Sequence, residues 1–153
     1  MPYLTRKPFD PGMFSSSDLP ARDALRRYFA VNAPGYTLVD SSQFDVDLEV
    51  WYGGRLLGYA ELERKLCWKG KDFPFDTVDW QAKKLKYKVD LPTLYFMFNE
   101  DFTYATWCNL NEAGSTFLKY CKILGGTTAE LFFSTPWDPI RKLVIPAKDG
   151  THA

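Results

Sequence analysis

The chain has 153 residues, 46% of them hydrophobic, with 19 basic and 19 acidic side chains and a formal net charge of zero. That length suits one domain, residues 1–153 with its core over about 18–146, and leaves too little for two. The one histidine, His152, stands two residues from the end, and Cys67, Cys108 and Cys121 form no C-x-x-C pair. These absences exclude Ser-His-Asp and Cys-His hydrolases, HNH-type nucleases, His-ligated metal sites, a zinc cluster and a disulfide framework. Any catalysis must run on carboxylates and lysine, and the cysteines read as buried thiols. No apolar run approaches ~20 residues, and Met1-Pro2-Tyr3-Leu4-Thr5-Arg6-Lys7-Pro8 lacks a signal-peptide core, so a soluble, cytoplasmic protein with no membrane partner is expected.

In chain order, Asp18-Leu19-Pro20 reads as a helix start, with Asp18 as N-cap and proline in the first turn. The helix runs amphipathically through Val31, presenting Leu25 and Phe29, and Pro34-Gly35 stops it. Tyr36–Val39 is a short first strand. Two further strands follow, Phe44–Val50 and Tyr59–Lys65, joined through Gly53-Gly54. Residues 66–79 form an aromatic loop in which Phe73-Pro74-Phe75 closes over the core, while Trp68 either stacks on a base or joins that closure. Trp80–Val89 is a basic helix or an irregular strand. Thr93–Phe98 and Tyr104–Cys108 are strands separated by Asn99-Glu100-Asp101, a helix is expected near Ala113–Ile123, and Glu130–Ser134 and Lys142–Ile145 are late strands. This order predicts an α+β or mixed α/β domain, a central mixed sheet flanked by helices.

The chemistry concentrates in the central hairpin. Side chains alternate along a strand, so Asp45, Asp47 and Glu49 share one face and Phe44, Val46, Leu48 and Val50 the other. Likewise Tyr59, Glu61, Glu63 and Lys65 oppose Ala60, Leu62 and Leu66. A strict two-residue loop sets Asp47 against Ala60; an odd loop or a bulge sets Asp47 against Glu61 and Asp45 against Glu63. Register follows the buried face, which predicts an odd-length loop. Clustered carboxylates repel unless a cation neutralises them, and an oxygen-only ligand set suits Mg2+ or Mn2+. The alternative is a solvated strand face whose acids pair with nearby lysines.

The stretch Asp47 to Lys65 resembles the core of the PD-(D/E)XK nuclease superfamily, whose hairpin supplies an Asp, then a Glu or Asp, then Lys two residues later. Here it reads Asp47, 15 intervening residues, then Glu63-Arg64-Lys65. Cys67-Trp68-Lys69-Gly70, Phe73-Pro74-Phe75 and Gln81-Ala82-Lys83-Lys84-Leu85-Lys86-Tyr87 also look like phage and bacterial members. The resemblance covers about residues 40–110. It implies a restriction-endonuclease-like core and catalytic Asp47, Glu63 and Lys65, with metal held by Asp47, Glu63 and Glu61. Asp45 and Glu61 are further candidate acids, because no proline precedes either aspartate and two glutamates compete.

Charge distribution supports a nucleic-acid partner. Between Asp40 and Glu63 stand six acids and one arginine, and between Arg64 and Lys88 eight basic residues and three acids. Lys83, Lys84, Lys86 and Gln81 become candidate phosphate contacts, and Trp68 a base contact. The expected function is Mg2+-dependent hydrolysis of DNA phosphodiester bonds, and such nucleases often pair, which admits a homodimer. Two rivals stand beside it: a module of the same fold that binds nucleic acid or protein and cuts nothing, and an aromatic-rich domain that binds carbohydrate.

Overall fold

The computed structural model describes residues 17–41, 46–87, 90–115, 118–122 and 129–148. Asp45, Phe44 and His152 lie outside them, as does the side chain of Cys121. The first helix, α1 (Leu19–Asn32), forms as expected, with Pro20 in its first turn, although Asp18 makes no side-chain cap. Its buried residues Ala21, Ala24 and Leu25 define the face that packs on a sheet.

Among the described residues nine strands follow: β1 (Tyr36–Asp40), β2 (Leu48–Tyr52), β3 (Arg55–Arg64), β4 (Thr77–Gln81), β5 (Thr93–Phe98), β6 (Tyr104–Asn109), β7 (Leu118–Lys122), β8 (Ala129–Pro136) and β9 (Leu143–Val144). Six make one mixed sheet in the order β1-β2-β3-β5-β6-β9, in which β3 and β5 run parallel and the other neighbours antiparallel. The remaining three make a second sheet in the order β4-β8-β7.

The domain is thus α+β, but the expected flanking by helices is corrected: among the described residues only α1 lies against the large sheet as an α-helix. Its face of the sheet contributes Leu38, Leu48, Ala60, Phe96, Phe98 and Ala105 to one core. The opposite face carries Tyr59, Tyr95, Met97 and Cys108, which meet Val78, Trp80 and Phe133 of the second sheet. A face that must exclude water can be covered by any apolar layer, and here a sheet does what a helix was expected to do.

Three local expectations change. Residues 82–87 form a 310 turn after β4. The helix expected at Ala113–Ile123 is replaced, where described, by a 310 turn (Leu110–Ser115) and β7, because the segment finds a ladder on β8 from Leu118↔Phe133 to Lys122↔Ala129. Phe73 packs against the core, but Phe75 is 53% exposed, and Cys67 is exposed where a buried thiol was expected.

The register that sets Asp47 against Glu61 is as argued, but the odd-length loop is corrected to a two-residue turn followed by a bulge, and the pairing expected for Asp45 lies outside the described residues. Tyr52 pairs with Arg55 across Gly53-Gly54, whose φ values of 58° and 77° suit the turn that matches strand twist. A shift between Val50 and Trp51 then leaves Leu57 unpaired and sets Leu48 against Ala60. The parallel β3–β5 pair needs a long crossover, and residues 65–92 supply it by way of β4 and the 310 turn. Where the crossover returns, the Tyr59 N–H donates to the Pro92 carbonyl at 2.9 Å, and a Cβ on Gly58 would collide with that same oxygen.

Candidate catalytic site

Continuing the Leu48↔Ala60 register by one residue brings Asp47 level with Glu61. The bonds agree: the Asp47 N–H donates to Glu61 Oε1 and the Leu62 N–H donates to Asp47 Oδ2, both at 2.9 Å. The two acids differ in exposure, Asp47 being half-buried. Glu61 is 0% exposed beneath the second sheet, so the solvated-face alternative fails for it.

A carboxylate sealed from water needs a counter-charge, and Lys84 provides it. In a 310 turn side chains three apart eclipse, so Lys84 shares a face with buried Tyr87, and Lys83 shares the other with exposed Lys86. Lys84 Nζ lies 2.6 Å from Glu61 Oε2 and 5.8 Å from the Tyr87 ring. Burial, reinforced by the Asp47 charge, pushes the Glu61 carboxyl up to about 8 despite Lys84. Burial opposes the charge on Lys84, but Glu61 and Asp47 outweigh it and hold its pKa above the ordinary lysine value.

Asp47, half-buried, is clamped from the helix. Arg22 Nη1 donates to the Asp47 carbonyl at 2.6 Å and to Asp40 Oδ1 at 3.0 Å, while Nη2 donates to Asp47 Oδ1 at 3.1 Å. Arg26 Nη2 also donates to Asp40 Oδ1 at 3.0 Å. The Arg26 bond works against partial burial, and with the Arg22 charge holds the Asp40 carboxyl below its usual value.

Further along the acid face of β3, Glu63 accepts a hydrogen bond from the Tyr95 hydroxyl. Burial first, then Glu63, raise the Tyr95 pKa well above the usual phenol value, while a backbone bond from Gln81 opposes them. Lys65 follows on the same face, half-buried; its backbone N–H donates to the Phe98 carbonyl at 2.8 Å and its ammonium lies 6.0 Å from the centre of the Phe75 ring.

The expected site residues therefore divide. Asp47, Glu61 and Lys84 are brought together. Glu63 stands two residues along with Tyr95, and Lys65, four residues beyond Glu61, sits about 13 Å away along the strand at ~3.3 Å per residue. Among the described residues no group of three or more acids, cysteines or histidines converges to hold a metal. Trp68 is fully buried, packed edge-on against Phe73 and Trp137, so it offers no ring to a base. Gln81 pairs with Phe132 in the small sheet. A separate polar cleft of about 310 Å3, lined by Thr106, Trp107, Glu112, Asp138 and Arg141 among others, includes none of the acid cluster.

Sequence reasoning overlooked Arg22 and Tyr95, and treated Lys84 as a phosphate contact. Arg22 left a faint signal, a cation beside the buried helix positions Ala21, Ala24 and Leu25; the pairing of Lys84 with Glu61 left none, since it depends on how the crossover folds back. Magnesium is commonly held by one or two carboxylates with substrate phosphate and water completing its shell, and Asp47 and Glu61 are donors of that type. Each of their four oxygens already has a partner, Arg22 and the Leu62 N–H on Asp47 and the Asp47 N–H and Lys84 on Glu61, so a cation held there would displace one of them. No family model, no curated protein and no solved structure matches this chain.

Proposed function

We propose that the chain hydrolyses phosphodiester bonds in DNA with a divalent metal, through Asp47 and Glu61 as the carboxylate pair and Lys84 as the ammonium beside them. The observation that carries this reading is the juxtaposition of Asp47, the residue just before β2, with Glu61 of β3, and of Lys84 Nζ at 2.6 Å from Glu61. The finer fold assignment, a restriction-endonuclease-like core, belongs to the same proposal and draws support from the placement of both acids on one hairpin of a mixed sheet.

A bound Mg2+ or Mn2+ would supply Lewis-acid stabilisation of charge on the phosphate. The chain's own residues do the rest. Arg22 fixes the Asp47 backbone and one carboxylate oxygen, leaving little rotational freedom at that acid. Burial pushes the Glu61 carboxyl up to about 8, so near neutral pH Glu61 would give up its proton to serve with Asp47 as the carboxylate pair that would hold the metal. Lys84 stays protonated, orients water and offsets phosphate charge. Water oxygen bonds to phosphorus, a P–O ester bond breaks, and the water proton leaves to solvent while the departing oxygen gains one. Lys83 and Lys86, on the outward face of the same turn, are placed to hold the strand.

Two observations favour the non-cutting reading: all four carboxylate oxygens are engaged, those of Asp47 by Arg22 and the Leu62 N–H and those of Glu61 by the Asp47 N–H and Lys84, and Glu61 is fully buried. Nothing favours carbohydrate binding, and two of the tryptophans, Trp68 and Trp80, are fully buried. Incubating purified protein with supercoiled plasmid and labelled single-stranded and branched DNA, in Mg2+, Mn2+ or EDTA, separates these. Metal-dependent cutting lost in Glu61→Gln and Lys84→Met supports the nuclease. DNA retained by all three proteins, with no product from any, overturns it for the binding module.

A further inference from the structure

Along the acid face of β3, enclosure loosens from Glu61, which is fully buried, to Glu63 and Lys65, which are half-buried. At the open end of that row stands Phe75, a large apolar ring with more than half its surface in water. Single exposed apolar residues are ordinary, but this one is braced. It meets Phe73 edge-on at 5.9 Å, Phe73 stacks on Trp137 at 4.7 Å and 5°, and Trp137 and Phe73 both pack against buried Trp68. The ring is thus the outer end of a rigid aromatic stack rooted in the interior. The Lys65 ammonium lies over the ring, 6.0 Å from its centre, leaving the other face for a ligand, and Lys71 is exposed on the same loop.

A fixed aromatic face next to a cation is the arrangement that holds an unpaired base and its phosphate, since every base has a π-face and every nucleotide a negative charge. We propose that Phe75, with Lys65, is a stacking platform for a single-stranded segment of nucleic acid, set just beyond the end of β3 that carries Glu61 and Glu63. This rests on the nucleic-acid reading above and deepens it by naming the substrate's form. A base inside a duplex keeps both faces stacked on its neighbours and offers none to Phe75, so the platform favours single strands, overhangs or branch points. It also gives Lys65 a phosphate to hold, away from the acids.

The test is fluorescence anisotropy of a labelled oligo-dT and of a duplex of equal length, in EDTA so that the probes survive, with wild type, Phe75→Ala, Phe75→Leu and Phe75→Trp. Phe75→Leu keeps an apolar contact with Phe73 while removing the π-face, which guards against a packing defect in the alanine variant. The expected result is a loss of about tenfold or more in oligo-dT affinity for the alanine and leucine variants. Phe75→Trp should bind within about twofold of wild type, and the duplex should change little. Unchanged oligo-dT binding by Phe75→Leu overturns the platform, and equal losses on duplex and oligo-dT overturn the single-strand assignment. Wild type that binds neither probe overturns the nucleic-acid reading and the platform with it.

Discussion

Replacing Lys84 with methionine preserves the aliphatic stem and removes the charge that Glu61 faces. Glu61 is fully buried and its partner ammonium is 2.6 Å away, so the variant strands an acid in the interior. Breaking a buried pair from one side costs about 3–5 kcal/mol when the remaining group stays charged. Here it has an escape, because burial and Asp47 already push Glu61 up to about 8 and the acid can hold a proton. At pH 6 Glu61 is mostly protonated with or without Lys84, and the cost falls to roughly one lost hydrogen bond, about 1 kcal/mol. Above pH 8 the wild-type carboxylate ionises against Lys84, whereas the variant must keep it protonated while the unfolded chain ionises freely. The gap therefore widens with pH, at no more than about 1.4 kcal/mol per unit for one proton. Urea unfolding followed by tryptophan fluorescence at pH 6 and pH 9 measures it. The double variant Lys84→Met/Glu61→Gln should recover most of the loss at pH 9 and remove its pH dependence. A destabilisation equal at both pH values, or one that simply adds in the double variant, would refute the reasoning.

The Gly58→Ala variant forces a methyl group into the Pro92 carbonyl where the crossover rejoins the sheet, and should lose about 2–3 kcal/mol, read as a lower urea midpoint. An alanine that leaves the midpoint unchanged would mean the crossover can shift aside. In thiol titration Cys67, exposed, should react at once, whereas Cys108, whose thiol burial pushes far up, should wait for unfolding. Cys67→Ser should then remove one rapidly reacting equivalent, and an unchanged rapid phase would contradict the placement of Cys67.

The hairpin was legible because strand alternation has a period of two, and only one register keeps Leu48 and Ala60 on a common face with Asp47 beside Glu61. The two-residue turn with a later bulge satisfied that constraint as well as an odd loop would. The second sheet was harder to read. β4 has only Val78 and Trp80 facing inward, and its partner β8 lies more than 50 residues away, at Trp80↔Phe133. Pairing at that range is settled by which apolar surfaces need cover, a property of the assembled layers. The segment at Leu118–Lys122 carries enough aliphatic and aromatic character for either helix or strand, and the ladder on β8 decides. At the candidate site the pairing of Asp47 with Glu61 followed from local pattern, although the strand expected over Phe44–Val50 begins, where described, only at Leu48, while Arg22 and Lys84 reach the acids from the helix and the crossover.

The route of the crossover bears on how the chain comes to fold. β5 can lie beside β3 only after residues 65–92 have looped out and back, and that loop carries both β4 and Lys84. The same closure that seals Glu61 from water delivers its ammonium. An order in which Glu61 dries first and finds its partner later would carry either an isolated charge or a bound proton through the barrier, and the connectivity avoids both. Such long-range closure is entropically slow. Burial and neutralisation of the acid then belong to one late event, and a chain stalled before it leaves Glu61 wet, ionised and without a binding surface around it.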